Sequence, residues 1–223
     1  MKLSERTVNL LKNFASINEN ILIPPTEEGE SSLLRTRNVG NNIYAEAFVD
    51  ETFDTEIRIY NLTQFLNVMD MFDDPDFNFK ETHVTVSDGS SRIRYNYASK
   101  NILHYADKSP KIPSFDVSGV LKHEELKRVR EAAKRLELPT ISIAGDGTDV
   151  YLIACDVADT SANEFRQKVE MKAKGTDEFR VHFSVNNLIM IPEDYNFSLN
   201  MKGISVFENT DLGVKYAIAM RVG

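Results

Sequence analysis

Apolar residues along the chain follow two rhythms, one near 3.6 residues and one of two, and the changes between them divide the sequence into elements. Residues 3–17 place Leu3, Leu10, Phe14 and Ile17 along one helical face, with Ser4 available as a cap. Short β-branched and aromatic runs at 21–23, 33–37, 43–49 and 56–60 predict strands, separated by Pro24, Pro25, Gly29 and the turn formers 40–42. Residues 61–72 return to helical spacing through Leu62, Phe65, Leu66, Met69 and Phe72, then stop at Asp73, Asp74, Pro75 and Asp76. Strands are expected again at 77–81, 83–87 and 91–98, with Asp88 and Gly89 as a hairpin signal.

Residues 100–118 hold Pro110 and Pro113 and no sustained period, the signature of a connector. The expected organisation is an N-terminal domain 1–104, a connector 105–117 and a C-terminal domain 118–223. A helix is predicted over about 120–136, ended by Pro139, and then strands at 140–144 and 150–156 around the turn Gly145, Asp146, Gly147. Strands at 164–173 and 178–183, a short helix-like segment at 184–191, and strands at 195–201, 204–208 and 215–221 complete the chain. Both halves thus read helix, strands, helix, strands, which predicts a tandem α+β protein with mostly antiparallel sheets.

The 223 residues are 42% hydrophobic and 27% charged, enough apolar side chain for packed cores and too much for a disordered chain. No apolar run approaches the roughly 18 residues of a membrane span, and the opening residues form an amphipathic helix unlike a signal peptide, so a cytoplasmic location is expected. The single cysteine, Cys155, makes no intramolecular disulfide and shares no ligand spacing with His83, His104, His123 and His182.

The net charge is −8, from 26 basic and 34 acidic residues, which argues against a protein that holds nucleic acid by overall attraction. The charge is segregated. Across residues 121–138, Leu126, Val129, Ala133 and Leu136 form an apolar stripe, while Lys127, Arg128, Arg130, Lys134 and Arg135 fall within an arc of about 160° opposite it. Lys2, Arg6 and Lys12 flank the polar side of the first helix, beside Asn9, Asn13 and Ser16. With Lys122, the two helical segments carry +4 and the remainder −12. A solvated face with Glu124, Glu131 and Glu137 as helix-pair partners accounts for such a pattern too. If these faces meet nucleic acid, they meet duplex phosphates without reading bases, because neither stacking aromatics nor a base-reading motif accompanies them.

Chemistry is absent by pattern: there is no phosphate-binding GxxxxGK, no GxGxxG, no GxSxG and no HExxH. The carboxylates of Asp73, Asp74 and Asp76 read as a helix-ending turn, residues 145–147 as a hairpin turn, and Cys155 as a buried thiol in an apolar run. No cofactor, no metal and no catalytic residue are expected.

Four segments resemble one family: Met1 to Ser4, Leu10 to Asn18, Ile43 to Ala47 and Ile59 to Leu66 look like the corresponding parts of the sliding clamps, the DNA polymerase processivity factors, of large T-even-like tailed bacteriophages. The second half is similar in its order of elements and its length. The resemblance implies two clamp domains per chain in a homotrimeric ring, with antiparallel sheets outside and helices lining a hole around duplex DNA. Lys2, Arg6, Lys12, Lys122, Lys127, Arg128, Arg130, Lys134 and Arg135 would then face the DNA without sequence preference, and the acidic remainder would form the outside. It also implies a hydrophobic pocket for partner peptides, for which Ile102, Leu103, Tyr105, Ile112, Pro113, Met220 and Val222 are the candidates. The implied partners are the replicative DNA polymerase, the clamp loader and late-transcription factors, in the host cell cytoplasm, with no enzymatic activity. The rival readings are a structural or assembly protein of a phage particle, and a small hydrolase using Asp73, Asp74 or His104.

Overall fold

The computed structural model describes residues 1–112, 114–159, 161–169 and 178–223. The chain divides into two compact units, residues 1–109 with 212–214 and residues 110–211 with 215–223.

The first unit opens with α1 (Glu5–Ile17), whose N-terminus is closed by the Ser4 hydroxyl accepting from the Thr7 N–H at 3.2 Å. Strands β1 (Ile21–Ile23), β2 (Ser32–Arg37), β3 (Ile43–Val49) and β4 (Ile57–Ile59) follow, then α2 (Leu62–Met69) and β5 (Asp76–Phe79), β6 (His83–Ser87) and β7 (Arg92–Asn96). All pairings are antiparallel: β1 with β4, β2 with β3, and β5-β6-β7 as a meander. The turn between β6 and β7 uses Gly89 at φ 89°, a conformation that side-chain-bearing residues resist. Helix α1 buries Leu10, Leu11, Phe14 and Ile17, and α2 buries Leu62, Phe65, Leu66 and Met69, four of the five its spacing predicted; Phe72, expected in the helix, is buried beyond its end. Phe65 meets Tyr95 edge-on at 5.2 Å, which joins α2 to β7.

The second unit runs β8 (Val117–Leu121), α3 (His123–Arg135), β9 (Thr140–Asp146), β10 (Val150–Cys155), β11 (Phe165–Val169) and β12 (Glu178–Ser184). Strands β13 (Tyr195–Asn200), β14 (Ile204–Asn209), β15 (Val214–Ala219) and β16 (Arg221–Val222) complete it. One sheet has the order β11-β10-β9-β12-β16, and β8-β13-β14-β15 run side by side in another. Phe183 and Phe207 meet edge-on at 5.8 Å, as do Tyr195 and Tyr216. Burial pushes the Tyr216 hydroxyl up to about 12, so it stays protonated and serves only as a hydrogen-bonding group.

The structure corrects the sequence reading in three places. Residues 120 and 121, expected in the third helix, end β8, and Lys122 is the residue before α3. Leu136, expected in the apolar stripe, lies just past the helix and is 40% exposed. The helix-like segment 184–191 contributes only a 3-10 turn, Val185–Asn187. Two asparagines, β-branched Ile189 and Ile191, and Pro192, which disfavours helical backbone at Ile191, outweigh its apolar spacing. The strand expected at 164–173 is observed over Phe165–Val169, and 170–173 lie outside the described residues.

Candidate nucleic-acid interface

Helix α3 is anchored by Leu126, Val129 and Ala133, with Val129 fully buried, against β9, β10 and β11. Burial of a valine side chain contributes roughly 1.5–3 kcal/mol, enough to fix the rotation of a thirteen-residue helix. That rotation leaves Lys127, Arg128, Arg130, Lys134 and Arg135 exposed. Glu124 and Glu125 lie in the first turn, Lys134 and Arg135 in the last, matching the helix dipole at both ends.

The α3 cations differ in what holds them. Arg130 donates to the Leu188 carbonyl at 2.9 Å, which ties its guanidinium to the 3-10 turn region. Lys127 lies 3.6 Å from Glu124, an exposed pair of the kind worth about 0–1 kcal/mol. Arg128, Lys134 and Arg135 have no ion pair with a described residue and are the most available cations of the helix. Lys122 pairs with Asp194 at 2.7 Å. The Lys122 hydrogen bond, joined by the His123 N–H, holds the Asp194 carboxyl below the usual carboxylate range.

In the first unit, Lys12 is exposed on α1, 3.4 Å from Asp70, and Lys2 pairs with Asp74. Arg6 is half-buried and donates to the Phe48 carbonyl at 2.7 Å and to the Leu212 carbonyl, so its guanidinium closes a loop of its own unit. Asn9 and Ser16 are exposed along α1 beside Lys12. The Glu51 carboxylate accepts from the Ser4 N–H and the Thr7 hydroxyl, both at 2.6 Å. Partial burial raises its pKa, but these bonds outweigh it and hold the group below its ordinary value.

The peptide-pocket candidates divide between the units. In the first, Ile102 is exposed at the end of the 3-10 turn Lys100–Ile102, Leu103 is buried, and Tyr105 is half-buried beneath the Lys100 ammonium at 5.9 Å. A cleft of about 210 Å³ lies there between Leu22, Pro24, Leu33, Tyr105 and Ala106. In the second, Ile112 is half-buried, Met220 is buried with its N–H on the Gly203 carbonyl at 2.9 Å, and Val222 is exposed in β16. Pro113 lies outside the described residues.

Two features were not read from the sequence. A groove of about 560 Å³ runs along α3 between Leu126, Ala133 and Leu138 on one side and Val185, Met190 and Ile191 on the other. The second is a row of cations on the far face of the β11-β10-β9-β12-β16 sheet. Its sequence signal is the i, i+2 alternation of Arg166 with Lys168 and of Arg180 with His182.

The hydrolase candidates do not converge. Asp74 pairs with Lys2, while the His104 ring nitrogen donates to the Asn38 carbonyl at 3.3 Å and the His104 backbone N–H donates to the Asn20 side-chain oxygen at 2.8 Å. Among the described residues no group of three His, Cys, Asp or Glu side chains is disposed to hold a metal ion.

Residues 2–103 match the family model described as DNA polymerase processivity factor, and residues 118–222 match the one described as gp45 sliding clamp, C terminal. The chain is 31% identical over 225 residues to the sliding clamp of Vibrio phage KVP40, covering 98% of each chain. It is 28% identical to the sliding clamp of Escherichia phage RB69, covering 99% of this chain and 96% of that one. Among solved structures it is similar to A. fulgidus PCNA bound to the C-terminal region of FEN-1, with a TM-score of 0.72 at 15% identity over 97% of this chain and 95% of the other.

Proposed function

The chain belongs to the phage sliding-clamp family of DNA polymerase processivity factors, and on that basis we propose that its working form is a homotrimeric ring in which α1 and α3 face duplex DNA. The protein is a sliding clamp, a tether that encircles DNA and keeps a polymerase on its template. Its two clamp domains are 1–104 and 118–223, joined by 105–117. The protein hydrolyses nothing, works in the host cytoplasm, and takes the replicative polymerase, the clamp loader and late-transcription factors as partners. Those partners dock apolar peptide side chains beside Ile102 and Tyr105 in the first unit.

One observation supports the DNA-facing assignment most directly: a chain of net charge −8 turns the exposed face of α3 into a cationic surface with Arg128, Lys134 and Arg135 free of described counter-ions. A trimer carries −24, so encirclement and not affinity retains the DNA. Long, mobile cationic side chains exchange phosphates with little barrier, which suits sliding. Lys2, Lys12, Lys122 and Lys127 contribute from within exposed ion pairs that a phosphate can replace, and Arg6 and Arg130 contribute charge while holding the backbone.

The test is native mass followed by primer extension with the cognate polymerase and loader, with and without the protein. A mass of three chains and a gain in processive product support the reading. A monomer under all conditions, or synthesis that ignores the protein, overturns it.

A further inference from the structure

We propose that the face of the β11-β10-β9-β12-β16 sheet turned away from α3 is a docking surface for an extended acidic segment of a partner protein. Strand register assembles it. Arg166 stands opposite Ile153, Ile153 opposite Ser142, Ser142 opposite His182, and His182 opposite Arg221, one continuous row across five strands. In the next row Lys168 stands opposite Tyr151, Tyr151 opposite Ala144, and Ala144 opposite Arg180. Side chains alternate between the faces of a strand, so both rows share one face, while Ile141, Ile143, Leu152 and Val181 fill the opposite one.

The two rows hold four permanent cations in a protein whose net charge is −8. Lys168 pairs with Asp149 at 2.7 Å and Arg180 approaches Glu164 at 3.9 Å. Arg166 lies 3.8 Å above the Tyr151 ring, and neither it nor Arg221 has an ion pair with a described residue. His182 is braced at the centre by the buried Ser142 hydroxyl at 2.7 Å. Its protonation is opposed by desolvation and by Arg180 and Arg221, a sign of the positive field there.

The occupant follows from charge and spacing. Arg166 and Arg221 terminate a row of four strand intervals, about 19 Å, which an extended segment of about six residues spans. Asp146, Asp149 and Glu164 border the rows. Duplex DNA, with a charge about every 1.7 Å, would meet those carboxylates, whereas a peptide sets a few carboxylates on chosen cations. The surface goes beyond the tethering role and does not depend on the ring.

The experiment titrates the full chain at low salt with a fluorescein-labelled eight-residue peptide of alternating Asp/Glu and Phe, with a Lys-for-acid peptide as control. Arg166→Glu combined with Arg221→Glu should weaken acidic-peptide binding at least tenfold with the thermal midpoint preserved. Arg128→Glu combined with Lys134→Glu should change it less than twofold. Should the double variant at 166 and 221 fail to fold, Arg166→Gln and Arg221→Gln singly should each weaken binding severalfold. No binding to the wild-type chain, equal loss from the α3 variant, or displacement of the peptide by a 20-base-pair duplex overturns the proposal. The tether reading fails on different data, namely processive synthesis unaffected by the chain, which leaves the peptide result standing.

Discussion

The backbone N–H of His123, first residue of α3, donates to the Asp194 carboxylate at 2.8 Å, and the same carboxylate receives the Lys122 ammonium at 2.7 Å. Lys122 occupies the capping position but makes no side-chain capping bond, so the cap comes from a residue 71 positions away. Asp194→Ala should destabilise the chain by about 1 kcal/mol in urea unfolding at neutral pH. The folded pKa is depressed, so this contribution is present above the ordinary value of 3.8 and is lost as pH falls through the folded value. The gap between wild type and variant should therefore close on acidification, and a pH-independent gap would remove the charge from the account.

The α3 cations without described partners are the ones to reverse. Arg128→Glu combined with Lys134→Glu should leave native mass and thermal midpoint unchanged while shortening processive products severalfold at low salt, and the gap from wild type should narrow as salt is raised, because fewer phosphate contacts give a shallower salt dependence. Unaltered product length would take both side chains out of the DNA-facing set.

Arg6 should behave differently despite carrying the same charge. Its bonds to the Phe48 and Leu212 carbonyls predict that Arg6→Ala lowers stability by about 1–3 kcal/mol. Arg6→Lys should recover only part of that loss, because one ammonium does not reproduce the planar fork. Full recovery by lysine in thermal unfolding would show that charge alone matters at this position.

Gly145 is opposite Phe179 in the β9–β12 pairing, and a Cβ at position 145 would sit 2.5 Å from the Phe179 ring. The ring rests on bare backbone. Gly145→Ala should cost about 1–3 kcal/mol through overpacking, and combining it with Phe179→Leu should restore part of the loss. A neutral Gly145→Ala in calorimetry would mean that the ring moves aside freely.

Elements were legible where the signal is local. Strands β3 (Ile43–Val49) and β6 (His83–Ser87) coincide with the alternation that predicted them, and α2 buries four of the five residues its spacing singled out, the fifth, Phe72, being buried beyond the helix end. The helical reading of 184–191 fails for an equally local reason: Pro192 and its poor helix-forming neighbours outweigh the apolar spacing. The basic face of α3 was visible because a helix displays its own periodicity. The fate of each cation was not: Arg130 and the Leu188 carbonyl are 58 positions apart, Lys2 and Asp74 are 72 apart.

By itself, the sequence determined the α+β class, the order of elements, the segregation of charge and a resemblance in its first half that the family models extend across both halves. Tertiary structure decided which charges are already engaged, where α3 is capped, and that Arg166, Arg180 and Arg221, from three strands, share a face. Periodicity arises from the geometry of a residue and its near neighbours, so it is written along the chain. Strand register and hydrogen-bond partners depend on segments brought together only when the apolar faces of distant elements are buried, and no local pattern encodes that meeting.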